Sequence, residues 1–106
     1  MKEFTYEAWG DTFRCRLSYD CQNHNIQIYN WEENGYWGPF MTATCSLPIP
    51  LETSEVLIKD YSENAGILKK FLQMGIIEKT GKTVKSGFVC IPICRVLPTI
   101  EEYIWR

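Results

Sequence analysis

The stretch from Gly75 to Thr83, GIIEKTGKT, ends in the Gly-Lys-Thr that closes a nucleotide-binding P-loop. A phosphate cradle needs a glycine, four residues and then Gly-Lys-Ser/Thr, so that successive backbone N–H groups wrap one phosphate. Here five residues separate Gly75 from Gly81. The loop must also lead from a strand into a helix whose N-terminus faces the anion. The patterning here has a helix before the loop and a strand after it. Ile76, Ile77 and Glu78 would line the cradle, and a carboxylate there repels phosphate. The string is read instead as a turn between two strands around Thr80-Gly81-Lys82, with Lys82 solvated at its tip.

Thiol and imidazole chemistry comes next, from Cys15, Cys21, Cys45, Cys90, Cys94 and the sole histidine, His24. Zinc sites carry paired ligands two to four residues apart on a turn, twice over. Cys90 and Cys94 sit four apart on a predicted strand, a separation of about 13 Å, too long for one ion. No metal and no cofactor is expected. A thiol-dependent enzyme would pair a cysteine with His24, and Cys21 is close in sequence. Such constellations are recognised by geometry, and no orienting group or oxyanion helix is visible in the sequence. That reading stands as a remote alternative to a non-catalytic protein, with the cysteines otherwise acting as small apolar residues. Glu32-Glu33 and Glu101-Glu102 fall in a predicted turn and a terminus, where solvated charge is the ordinary role.

The densest unusual feature is aromatic. Tyr29, Trp31, Tyr36, Trp37 and Phe40 crowd one predicted hairpin. Trp and Tyr dominate interface hot spots, so these five are candidate protein-contact residues. The alternatives are core packing with cross-strand ring pairs and base stacking. Base-stacking platforms come with basic surroundings, whereas Glu32 and Glu33 sit at this tip.

The elements that must position these residues follow from periodicity. KEFTYEAW puts Phe4, Tyr6 and Ala8 on one face, and TFRCRLSY puts Phe13, Cys15, Leu17 and Tyr19 opposite Arg14, Arg16 and Ser18. Trp9-Gly10-Asp11 is the turn between them. NIQIYNW points Ile26 and Ile28 inward, and Asn34-Gly35 marks a hairpin. Gly38-Pro39 breaks the next strand, which belongs at an edge or carries a bulge. LPIPLE is an extended connector and EVLIKD a short strand. A helix over about 63–74 follows, with Ile67, Leu68, Phe71 and Leu72 on one side, Ser62 as N-cap and Gly75 as C-cap. Residues 88–97 read as a strand apolar on both faces, with Pro92 demanding a bulge or an edge. Thr99 and Glu102 have capping-box spacing, leaving 99–106 as a short helix or a frayed tail.

The fold expected is α+β: a twisted, mainly antiparallel sheet of five to seven strands with one main helix packed on it. The 106 residues suit one small domain. Apolar residues at 45% and charged residues at 23% are ordinary for a globular protein. Thirteen acidic and eleven basic residues, net −2, leave no basic stripe for nucleic acid. There is no apolar stretch of signal-peptide or membrane-span length. The odd cysteine count without an export signal is read as reduced thiols of a cytoplasmic protein. Monomer or weak homodimer is expected, with a possible protein partner and no membrane.

Residues 60–97, DYSENAGILKKFLQMGIIEKTGKTVKSGFVCIPICRVL, carry a resemblance. Glu63-Asn64, Gly75-Ile76-Ile77, Thr80-Gly81-Lys82, Ser86-Gly87-Phe88 and Pro92-Ile93-Cys94 resemble the signature of a family of small uncharacterised proteins, a domain of unknown function. Its members are carried on conjugative transposons and related mobile elements of gut Firmicutes. The resemblance implies a bacterial accessory protein of a mobile element and brings no catalytic residue with it. An alternative in that setting is a host-defence antagonist, of anti-restriction or anti-CRISPR type, that binds a nuclease.

Overall fold

The computed structural model describes residues 1–105. Strands β1 (Phe4–Ala8), β2 (Asp11–Asp20), β3 (Asn25–Trp31) and β4 (Trp37–Thr42) form an antiparallel meander in that order. A second antiparallel sheet contains β5 (Glu55–Leu57), β6 (Ile77–Ser86) and β7 (Val89–Val96) in the order β5-β7-β6. One helix, α1 (Ile67–Met74), lies between β5 and β6 in the chain. The class is α+β, and the seven strands are divided between two sheets.

The period-two pattern of the first sheet fixes its two faces. Phe4 and Tyr6 of β1, Cys15 and Leu17 of β2, and Ile26 and Ile28 of β3 are buried together. Ile67 and Phe71 of α1 close over them, Phe71 meeting Phe4 edge-on at 6.3 Å. Val56, Cys94 and Val96 of the second sheet enter the same core. The opposite face of that sheet packs Leu57, Ile91 and Ile93 beneath Leu47, Ile49 and Leu51 of the connector. β7 is thus apolar on both faces because it divides two cores.

The sheets are joined at their edges. Past β4 the chain continues so that Lys59 N–H donates to Ala43 O (2.8 Å) and Cys45 N–H to Leu57 O (3.0 Å). β2 is twice as long as β1, and the chain's end takes up part of the surplus. Ile104 bridges Leu17 in parallel, and Trp105 N–H donates to Leu17 O at 2.8 Å. Before it, Pro98–Glu102 form a 3-10 turn that begins without a side-chain cap, so the Thr99–Glu102 capping box does not form.

Ser62 does not cap α1; it lies in a 3-10 turn, Ser62–Asn64, with φ of 54°. Asp60 takes the role, its Oδ1 accepting the N–H groups of Gly66 (2.9 Å) and Leu68 (3.1 Å). An acceptor six residues ahead of Gly66 is within reach only because the intervening turn folds back. At the other end Gly75 behaves as expected, with φ of 72° and the paired Gly75-to-Leu72 and Ile76-to-Phe71 bonds of a Schellman motif.

Thr80-Gly81-Lys82 is not the turn between strands. It is a bulge inside β6, where three residues oppose Ile93 of β7 alone. Thr80 Oγ1 donates to Ile93 O at 2.7 Å and secures it. The bulge sits beside Pro92, which has no N–H for the ladder, so Pro92 stands in a central strand. The chain reverses at Gly87-Phe88 instead, where Gly87 has φ of 59° at the first central position of a two-residue loop.

Candidate functional site

On the outer face of the first sheet the side chains opposite the core line up across β2, β3 and β4. Arg16 pairs with Tyr29, and Trp31 with Trp37. Trp31 and Trp37 meet at 5.5 Å, Trp37 and Trp105 at 6.2 Å, and Tyr29 and Trp105 at 4.8 Å. The Arg14 guanidinium lies 5.4 Å from Trp31 and 5.3 Å from Trp37. Arg16 is 4.1 Å from Trp37 and 5.9 Å from Trp105. Guanidinium groups over indole faces are attracted by the ring quadrupole, which orders the layer.

Glu3 completes the layer. Its carboxylate accepts from Arg14 (Nη2 to Oε2, 3.0 Å) and from Arg16 (Nη2 to Oε2, 2.9 Å). Hydrogen bonds from Arg14 and then Arg16 hold its carboxyl down at about 2. One carboxylate thus serves two guanidinium groups and offsets one of their two charges, leaving exposed indole and partly exposed guanidinium edges.

The five candidate aromatics are not one cluster. Tyr29, Trp31 and Trp37 share the outer face. Phe40 is the extra residue of a bulge between the Ile28–Met41 and Tyr29–Pro39 pairs. The bulge turns it inward, where it stacks on Phe13 at 4.7 Å and meets Tyr6 at 6.3 Å. Tyr36 stands in the hairpin loop, 54% exposed. Arg14 and Arg16 were legible as the polar face of β2. Trp105, 74 residues beyond Trp31 in the chain, had no local signal that would place it here.

The P-loop lookalike is occupied differently. The bulge lines a hollow of about 400 Å³ with Leu68, Pro92 and Ile93. Lys82 is solvated as expected, and its Nζ also reaches the buried Glu55, lying 3.0 Å from Oε2. Glu55 also accepts Glu52 N–H at 2.9 Å, and this bond and then Lys82 lower its pKa. The N–H groups at the start of α1, which a phosphate would want, belong to Asp60.

No thiol hydrogen-bonds His24 among the described residues. His24 Nδ1 lies 2.7 Å from Glu55 O, so this nitrogen carries the hydrogen, since a carbonyl only accepts. Cys15 is buried and its thiol is pushed up to about 12 by burial; Cys94 is pushed up to about 11 for the same reason. Burial also raises Cys45. Thiols so shifted are poor nucleophiles. Cys21 and Cys90 are exposed. No group of three His, Cys, Asp or Glu side chains placed for a metal ion occurs among the described residues. No helix among them is long and apolar enough to cross a membrane.

Compared with protein-family models, with curated proteins and with solved structures, the chain matches none of them.

Proposed function

We propose that this chain is a non-catalytic interaction protein that engages a protein partner through the outer face of its four-stranded sheet. The observation that carries the reading is the layer of Trp31, Trp37 and Trp105 interleaved with Arg14 and Arg16. Trp, Tyr and Arg are the residue types that dominate binding energy at protein interfaces. Here they stand preorganised on a rigid sheet, with Trp31 still 42% exposed. Glu3 offsets one of the two guanidinium charges, and Glu32 and Glu33 stand at the hairpin tip, which favours a protein surface over a polyanion. By the resemblance of residues 60–97, the setting is a cytoplasmic accessory role in a bacterial mobile element.

The test is co-purification of tagged wild-type protein and of Trp31→Ala from the same host, with melting curves run alongside. Trp31→Ala loses a stoichiometric partner while melting close to wild type. A partner retained by Trp31→Ala, or lost only in variants that unfold, overturns the reading.

A further inference from the structure

Among the four strands that end a sheet, three are guarded against pairing with another chain. β4 carries Pro39 and a bulge, β5 continues into the contacts with residues 43–45, and β6 carries its own bulge with Lys79, Lys82 and Lys85. Prolines, bulges and lysines are the devices that blunt sheet edges. β1, Phe-Thr-Tyr-Glu-Ala, has none of them. Ala8 and Asp11 close a two-residue turn, so Ala8, Tyr6 and Phe4 exchange the hydrogen bonds with β2. The N–H and C=O groups of Thr5 and Glu7 then point away from the sheet, and no described residue supplies them with a backbone partner.

That edge faces a groove. Tyr6 Oη donates to Ala65 O at 2.9 Å near the start of α1, and Phe4 packs on Phe71 further along it, so α1 runs antiparallel beside β1. Two hollows of about 600 and 450 Å³ lie along this seam and share Thr5, Lys70 and Gln73. Lys69 and Lys70 line the helix side, and neither has a carboxylate partner among the described residues, unlike Lys2, Lys59 and Lys82.

We propose that the β1 edge and α1 form a second docking site, which takes an extended acidic segment of a partner protein as a fifth antiparallel or parallel strand. Backbone pairing to Thr5 and Glu7 supplies affinity, and carboxylates at alternate positions of the segment meet Lys69 and Lys70. A second copy of this chain is the poorer occupant. Antiparallel pairing of two β1 strands about Thr5 sets Glu3 of each against Glu7 of the other, and like charges directly opposite are destabilising.

The probe is a dye-labelled, end-capped hexapeptide alternating Val and Glu, with a Val/Lys peptide as control. Binding is followed by fluorescence anisotropy, and the site by amide hydrogen exchange. The Val/Glu peptide binds saturably and slows exchange of the Thr5 and Glu7 amides, while the Val/Lys peptide does not. Lys69→Glu with Lys70→Glu weakens it about tenfold, by loss and reversal of one exposed and one half-buried charge. Thr5→Pro abolishes it without touching the β1–β2 ladder, since this N–H points outward. Absence of binding at millimolar peptide overturns the proposal, as does protection confined to Trp31 and Trp37. Slowed exchange at Thr5 that depends on protein concentration alone also overturns it, in favour of a self-paired dimer.

Discussion

The guanidinium carbon of Arg16 sits 4.1 Å from the ring centroid of Trp37, and Glu3 grips the same guanidinium through Nε (3.2 Å) and Nη2 (2.9 Å). Arg16 is thereby the centre of the outer layer, in contact with an anion and two indoles from three separate parts of the chain.

Arg16→Ala is expected to cost about 2 kcal/mol, from cation–π contacts and a charge-assisted bond that are partly shielded from water. Arg16→Lys recovers less than half, because a point-charge ammonium cannot pair bidentately and lie against the indole together. Urea unfolding of the three proteins, monitored by tryptophan fluorescence, checks both the loss and its ordering.

Glu3 makes stability depend on acid. Its carboxyl is held at about 2 in the fold, below the value near 4.5 that it has when free. The folded state thus binds its proton less readily than the unfolded chain. The stabilisation is fully present above about pH 4.5 and is lost as pH falls toward 2. Glu3→Gln is expected to be less stable than wild type at neutral pH, with the gap closing across that interval. A gap that stays constant down to pH 2 contradicts the assignment.

Two phenylalanines separate core from surface. Phe71 is fully buried between the sheets, and Phe71→Ala is expected to cost about 3–5 kcal/mol through lost transfer energy and a residual cavity. That is a large part of the roughly 5–15 kcal/mol that holds a domain folded. Phe88 stands wholly exposed at the β6–β7 turn, and Phe88→Ser is expected to stay within about 0.5 kcal/mol of wild type. Chemical denaturation distinguishes the two directly.

The thiols should react in two classes. Iodoacetamide at pH 8 is expected to modify the exposed Cys21 and Cys90 quickly, while Cys15 and Cys94, buried and raised to about 12 and about 11, wait for unfolding. Cys45, half-buried and also raised, lags behind the first pair. Mass spectrometry of the native and urea-unfolded protein counts the additions.

Alternation alone determined much of this molecule. Phe13, Cys15, Leu17 and Tyr19 against Arg14, Arg16 and Ser18 set the two faces of β2, because successive strand side chains must point oppositely. The spacing of Ile67, Phe71 and Gly75 likewise located the helix and its end. Those signals are local, and local geometry obeys them.

What only the tertiary structure decided involves partners distant in the chain. Gly81 has φ of 87°, and a glycine with positive φ serves a bulge as well as a turn. Pro92 on the neighbouring strand selected the bulge, and with it sent Lys82 to Glu55. The bulge at Phe40 removed one aromatic from the candidate surface, since one extra residue reverses a side chain's face. Trp105 was added to that surface because β1 is too short to cover β2, leaving Leu17 O for the end of the chain. A sequence shows which face a residue prefers; which strand lies beside it is settled by the whole fold's hydrogen-bond pairing.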